Sequence, residues 1–494
     1  MADRAISNIR NHMYNFFSHS LSPALLASIS VSIITIVALF IPPYIGMADN
    51  GDYFRILYSN GLYFNDPDYS NQYLGYFVKS FGIFQYYNEN GATLFTSQTI
   101  FIKLSLWINQ LFTHDNVFDI RFQAAIYVVL YAIAVYLFVE SVTWKCKRKQ
   151  SYIIAAIAVF VFGDTGYTAY FNSFYSEGLV LIMSMLVFSS GVLLYRNRYN
   201  DYVLLFLFGI STLLLTTSKQ QNAPIGIILG LFSIFLLFVR KSKSFRAVIS
   251  IMMASFLIAG VCSYILIPKD FVNINKYHAM TRGVLLNSPD PEATLEHFGI
   301  DKQFAVLRGT IYYSPYTTID VNSELMQEQF YNKFSFGSIL AYYISRPTEF
   351  NKMLNLAAAN GYTIRPSAMG NFEKSENRPF GQHTYFFSGY SFLKKVATPK
   401  TFGFVVIWII IVAGMYIPAF ISAIRNRQLR QAFRLPIIVA MIAIALSSMV
   451  IAIVGAGDAD LAKHEFLFTV MFDLITFLTF SDLISRRIWQ NESL

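Results

Sequence analysis

"PALLASISVSIITIVALFIPPYIGMADNGDYFR" occupies residues 23–55, and its two halves obey different chemistry. From Pro23 to Ile41 there is no ionisable side chain. At about 1.5 Å per residue, a helix over such a run spans most of the roughly 30 Å of bilayer hydrocarbon. Pro42 and Pro43 then oppose helix continuation, and Asp49, Asp52 and Arg55 follow at once. Asn50-Gly51 is turn chemistry, so a solvated turn accounts for the composition without any function. The sharper reading is a charged site where the chain leaves a membrane.

The 494-residue chain is 55% hydrophobic and only 14% charged, against about 25% charged residues in soluble domains. That balance predicts an all-α polytopic membrane protein. The formal charge of +9 does not point to nucleic acid, because the basic residues cluster at the ends of apolar runs, where they orient a membrane protein. Two cysteines, Cys146 and Cys262, provide neither a disulfide framework nor a cysteine-based zinc site. Arg4 and Arg10 precede the first run, which is longer than a signal-peptide core and reads as an uncleaved first helix.

Ten apolar segments are near spanning length: about 23–45, 122–143, 151–171, 177–195, 201–217, 223–240, 246–267, 401–424, 435–454 and 466–485. The third is interrupted after Gly163 by "GDTG", which predicts a tilted, broken or partly re-entrant segment. Basic clusters "KCKRK" (145–149), "RNR" (196–198), "RKSKSFR" (240–246), "RNRQLRQAFR" (425–434) and "SRR" (485–487) alternate with the opposite ends. The positive-inside rule puts those clusters and both termini in the cytoplasm. The outward segments are then the loop 46–121, short turns near 164–176, 218–224 and 455–465, and a large loop 268–400. The expected organisation is a membrane module over 1–267, a mixed extracytoplasmic module over 268–400 and C-terminal membrane helices over 401–494. In the first outer loop, Ile100, Phe101, Leu104, Trp107, Ile108 and Leu111 recur at helical spacing after a cap at Thr96 or Ser97. That amphipathic helix either lies in the headgroup layer or packs on the protein.

Ionisable groups at membrane boundaries are costly and default to function. The informative ones all fall on the predicted outer side: Asp49, Asp52 and Arg55; Asp164 and Glu177; Lys219 with Gln220, Gln221 and Asn222; and Asp458, Asp460, Lys463, His464 and Glu465. They suggest one polar pocket, with scattered loop-tip charges as the bland alternative. Asp458, Asp460 and His464, joined by Asp49 or Asp52, have the oxygen-rich chemistry of a divalent-cation site, provided they meet. Asp473, inside the last segment, reads as a buried partner for a neighbouring helix in preference to a proton relay. Neither GxxxxGK[ST] nor a strand-to-helix GxGxxG is present, and no cytoplasmic segment is large enough for a nucleotide domain. A group-transfer reaction here therefore needs a donor already activated and reached from the membrane, such as a lipid-linked phosphate.

At these residues the sequence resembles the GT-C class of integral-membrane glycosyltransferases, which use polyprenyl- or dolichyl-phosphate sugars and carry a catalytic Asp in the first outer loop. More narrowly, "MADNGDYFR" (47–55), "LFTSQTIFIKL" (94–104), "YFNSFYSEG" (170–178), "SKQQNAP" (218–224), "ANGYTIRPSAMGNFEKS" (359–375) and "GDADLAKHEFLF" (457–468) resemble WsfD-type hexose transferases of bacterial cell-surface glycan synthesis. Related aminoarabinose-type members have Asp, then Glu, then an Arg three residues after the Asp. Here Asp52 and Arg55 keep that spacing with Tyr53 in place of the Glu, which leaves Asp49 open as the alternative base.

The resemblance implies an inverting hexosyl transfer on the outer face of a bacterial plasma membrane, from a polyprenyl-phosphate sugar to a hydroxyl of a glycan or cell-wall polymer. Asp52, or Asp49, takes the proton. Arg55, Lys219, Lys463, His464 and Arg365 are candidates for the donor phosphate, and Glu177, Gln220, Asp458 and Asp460 for the sugar or acceptor. No metal is required by this scheme, and a divalent cation is compatible with it. The rival class is a transporter or flippase of lipid-linked glycans, which commonly shows an internal repeat that this sequence lacks. A noncatalytic scaffold is the third reading, and it leaves the charged loop residues unexplained.

Overall fold

The computed structural model describes residues 21–86, 92–113, 115–314 and 316–488. Arg4 and Arg10, like both chain termini, lie outside the described residues. The first helix, α1 (Pro23–Phe40), starts where the Ser22 hydroxyl accepts the Leu25 N–H at 3.2 Å and Pro23 takes the first turn. A short helix, α2 (Tyr53–Ser59), follows the "DNGD" turn, and α3 (Gln98–Phe112) is the helix expected in the first outer loop. The bundle continues through α4 (Arg121–Thr143), α5 (Arg148–Phe162), α6 (Glu177–Tyr195), α7 (Asp201–Thr216), α8 (Ala223–Leu236) and α9 (Lys243–Ile265). Beyond it come α10 (Lys269–His278), α11 (Phe336–Ser345), α12 (Pro347–Gly361) and α13 (Gly389–Ala397). The last three long helices are α14 (Phe402–Arg425), α15 (Arg434–Ala456) and α16 (Phe466–Ile484).

All ten apolar segments are helical. Among the described residues seven helices are long and apolar enough to cross a membrane, and the bent pair Arg148–Phe162 and Thr165–Asn172 makes an eighth when taken as one span. The bend of 48° falls at the Gly163-Asp164 break that the sequence marks. Asp164 caps the second piece by accepting the Gly166 N–H at 2.7 Å, and its other oxygen accepts the Ser391 N–H at 2.9 Å. Beyond that piece, Asn172 donates to the carbonyls of Leu39 and Ile45, so this irregular backbone is bonded within protein. The fifth and sixth segments form shorter apolar helices, Asp201–Thr216 and Gln220–Leu236.

Helix α6 is buried along its entire length and is the axis of the bundle, with α4, α7, α15 and α16 around it. The peripheral pair α8 and α9 packs backbone to backbone: a Cβ on Gly226 would lie 2.4 Å from the Phe256 carbonyl oxygen. Small residues at such a contact are what close helix approach requires in a membrane.

One feature departs from the all-α expectation: a sheet among the described residues, which lies in the first outer loop. Its three antiparallel strands, β1 (Leu62–Phe64), β2 (Ser80–Ile83) and β3 (Val117–Asp119), pair in the order 1-2-3, with Tyr63 opposite Gly82 and Phe81 opposite Phe118. The segment 268–400 is helical and irregular, and it is stitched into the bundle. The Lys394 ammonium on α13 donates to Asp473 of α16 at 2.7 Å, and Tyr167 donates to the other Asp473 oxygen. Asp473 is thus a buried polar partner for neighbouring elements, the favoured of its two readings.

Helix α3 turns the usual amphipathic arrangement outward. Ile100, Leu104, Trp107 and Leu111 are exposed, whereas Gln98, Ser105 and Asn109 are buried. Gln98 donates to the Phe174 carbonyl at 2.8 Å, and Asn109 donates to the Val117 carbonyl at 2.9 Å. An apolar stripe facing away from the protein gives this helix a surface suited to a bilayer interface.

Candidate functional site

Loops gather at two ends of the bundle. At one end the "DNGD" turn meets the segments 170–177, 217–222, 271–313 and 457–465. Gly51 adopts φ +99°, which closes the turn and brings Asp49 and Asp52 into different surroundings. Asp49 is 2% exposed: one oxygen accepts the N–H groups of Gly51 and Tyr53 at 2.9 and 3.0 Å, and the other accepts the Tyr69 hydroxyl at 2.5 Å. Burial pushes this carboxyl up to about 6, against the hydrogen bonds from Tyr69 and Tyr53, and the nearby Asp52 charge pushes the same way as burial.

Asp52 opens into the site with 46% of its side chain accessible. One oxygen meets the Lys463 ammonium and the other lies 3.5 Å from Arg55. Burial opposes its ionisation, but Lys463 and Arg55 outweigh burial and hold the carboxyl well below the usual range. Lys463 is almost fully buried and also pairs with Asp460 at 3.1 Å. The two carboxylates raise its affinity for the proton despite the burial, so the ammonium stays charged. Asp460 takes a left-handed backbone, φ +47°, at the start of the Leu461–His464 turn and accepts from the Asn50 amide. Burial raises its pKa, and Lys463 counters this in part.

Around this centre the other polar groups are arranged in pairs. Arg55 donates to the Tyr313 hydroxyl at 2.9 Å and stacks 4.1 Å from the Phe271 ring centroid. Glu177, at the first turn of α6, accepts from Lys219 at 3.2 Å. The His464 ring lies 3.0 Å from the Gln221 side-chain oxygen, and Gln221 donates back to the His464 carbonyl at 2.9 Å. Burial and the cations Lys219 and Lys463 keep His464 neutral by lowering its pKa. Gln220, half-buried, opens the short turn Gln220–Asn222 beside Lys219. Asp458 is held by Arg282 in a two-point contact of 2.6 and 2.9 Å, with Arg282 set on a π-helical turn over Ala279–Val284.

The structure therefore brings together Asp49, Asp52, Arg55, Glu177, Lys219, Asp460, Lys463 and His464. Asp458 is drawn to one side by Arg282. Arg365 instead donates to the Thr384 carbonyl at 3.1 Å and makes no ion pair with these groups among the described residues. Among the described residues no three His, Cys, Asp or Glu side chains converge as metal ligands, and Asp49, Asp52, Glu177, Asp458 and Asp460 are each turned to donors of this chain. Sequence reasoning missed Arg282, Phe271 and Tyr313, which come from the large loop and carry no local motif. It also missed Asn50 and Tyr175, whose contacts link the turn to 170–177: the Asn50 N–H donates to the Tyr175 hydroxyl at 2.8 Å. Glu465 is fully buried with both oxygens unpartnered, and burial alone raises its pKa.

Fold and site together define a multi-pass membrane protein whose charged centre lies at one end of the helical bundle. Residues 5–494 match the family model described as the YfdI N-terminal transmembrane domain, and the chain belongs to that family. No curated protein and no solved structure matches it.

Proposed function

We propose that this protein is a GT-C-type glycosyltransferase, resembling the WsfD-type enzymes, that moves a hexose from a polyprenyl-phosphate donor to a hydroxyl of a cell-surface glycan or cell-wall polymer. In this reading all ten apolar helices cross the bacterial plasma membrane, the basic loop ends are cytoplasmic and Asp52 faces outward. The observation that supports it most is the contrast within one turn: Asp49 is enclosed by donors, while Asp52 is ionised, accessible and ringed by Arg55, Lys463 and Lys219. The acceptor oxygen attacks the anomeric carbon, its proton passes to Asp52, and the bond to the phosphate breaks with inversion. An ion-paired carboxylate is a weak base. It suits an oxocarbenium-like transition state, in which early departure of phosphate makes the acceptor hydroxyl acidic as the new bond forms. Cations neutralise the leaving phosphate, and Glu177 with Gln220 and Asp460 orients the sugars. A transporter would hold its cargo near the middle of the bundle, whereas these charges lie at one end.

Asp52→Asn keeps size and polarity but cannot accept the proton, so transfer in proteoliposomes should fall by about 10²–10⁴ while donor binding persists. Asp49→Asn should cost far less. Near-normal turnover by both variants would remove the case for catalysis at this turn. In a cysteine-free background, an impermeant reagent applied to intact cells should label a cysteine at Glu296 and spare one at Asn200; the reverse pattern would sink the orientation.

A further inference from the structure

Arg365 is bound less completely than the cations around Asp52. Its Nη2 donates to the Thr384 carbonyl at 3.1 Å, but Nε and Nη1 are buried without a partner. Nε2 of neighbouring His383 is likewise buried and unpartnered. Asp164, whose charge acts on this guanidinium, accepts the N–H groups of Gly166 and Ser391 and makes no ion pair with Arg365 among the described residues. A buried guanidinium with two idle donors is costly, and an anion repays that cost. Thr384, which holds Arg365, leads directly into an apolar strip: Tyr385 (84% exposed), Phe386, Phe392 and Val396 all face outward. The strip continues onto membrane helix α5, whose Phe160 is exposed and packs its ring 6.0 Å from that of Tyr390.

We propose that Arg365 and His383 seat the phosphate of a polyprenyl-phosphate lipid, with the isoprenoid chain lying along Tyr385, Phe386, Phe392 and Val396. The other candidate cations are already neutralised: Lys463 by Asp52 and Asp460, Lys219 by Glu177, Arg55 by Asp52. Seating the phosphate there would spare those pairs, which stay with the sugars. This assignment rests on the glycosyltransferase reading and narrows its donor site to one guanidinium.

The test is binding of a polyprenyl phosphate to the full-length protein in nanodiscs, with phosphatidylglycerol and inorganic phosphate as separate competitors. Arg365→Gln should weaken binding by roughly 10–100-fold, the range for lost charge-assisted hydrogen bonds. Arg365→Lys should restore part of it, and neither variant should lower the melting temperature. Phe392→Asp should weaken the lipid and leave inorganic phosphate untouched. Wild-type affinity in Arg365→Gln overturns the inference. So does displacement by phosphatidylglycerol or inorganic phosphate at concentrations comparable to the prenyl lipid. If Lys463→Met abolishes binding and Arg365→Gln does not, the seat is at Lys463 and only this inference falls. Absence of prenyl-phosphate binding in the wild-type protein removes both this inference and the function it rests on.

Discussion

The two ends of the bundle carry ionic clusters of opposite design. At the basic end, Asp482 of α16 is completely buried, pairs with Arg196 at 3.0 Å and with Arg434 at 3.4 Å, and accepts the Tyr416 hydroxyl at 3.1 Å. Arg434 then donates to the carbonyls of Arg487 and Ile488, which ties the chain after α16 to the start of α15. Both oxygens of the Asp482 carboxylate are taken. At the opposite end Asp52 is nearly half accessible, and its partner Lys463 is shared with Asp460. The closed cluster fastens helices; the open one keeps charge available for something else to meet. A buried pair is weak evidence for stability until one partner is removed, because the cost lies in the charge left behind.

The largest expected effect comes from breaking the closed end. Asp482→Asn strands two buried guanidinium groups, costs about 3–5 kcal/mol and takes much of a typical folding stability. Detergent-solubilised variant should melt far lower or fail to accumulate, and a melting curve matching wild type would show that the cluster does not hold the fold. Asp52→Asn is the counterpart at the open end: it should leave the melting temperature near wild type, since Lys463 retains Asp460, while transfer collapses. A large loss of stability instead would make Asp52 a structural residue like Asp482.

Asp49 sharpens the contrast inside a single turn. Its folded pKa of about 6 lies above the ordinary 3.8, so the fold favours its protonated form. That contribution is complete below about pH 4 and is lost as pH rises through 6; the shift corresponds to about 3 kcal/mol. Asn at position 49 has no such titration, so the stability of Asp49→Asn relative to wild type should climb by about that amount between pH 4 and 7. Parallel stability curves would mean that Asp49 is not buried as described. The smallest effect is expected at the rim, where Arg282→Lys replaces a two-point contact to Asp458 by a single one and should cost about 1 kcal/mol in thermal unfolding.

Much of the architecture is legible in the sequence because bilayer crossing imposes length and apolarity, which survive as runs. The break after Gly163 was readable for the same reason: an acidic residue and two glycines interrupt a hydrocarbon stretch. The charged residues could be gathered onto one face by counting crossings, yet their pairings could not. Nothing local to "GDAD" shows that Asp458 belongs to Arg282, some 170 residues away in the chain, or that Lys463 reaches past Asp460 to Asp52. The strands "LYF", "SFGI" and "VFD" are too short for period-two alternation to register. Periodicity gave α3 its apolar stripe but not the direction in which the stripe points. That depends on the polar face finding partners at Phe174 and Val117.

The outward stripe of α3 also has a mechanical meaning. Ser97 donates to the Leu214 carbonyl at 2.7 Å, so the helix is moored to the bundle through α7, while Trp107 and its neighbours face away from the protein like a float. A float sets height. Where that stripe meets lipid headgroups, the height of Asp52 above the bilayer follows α3 rather than the length of α1.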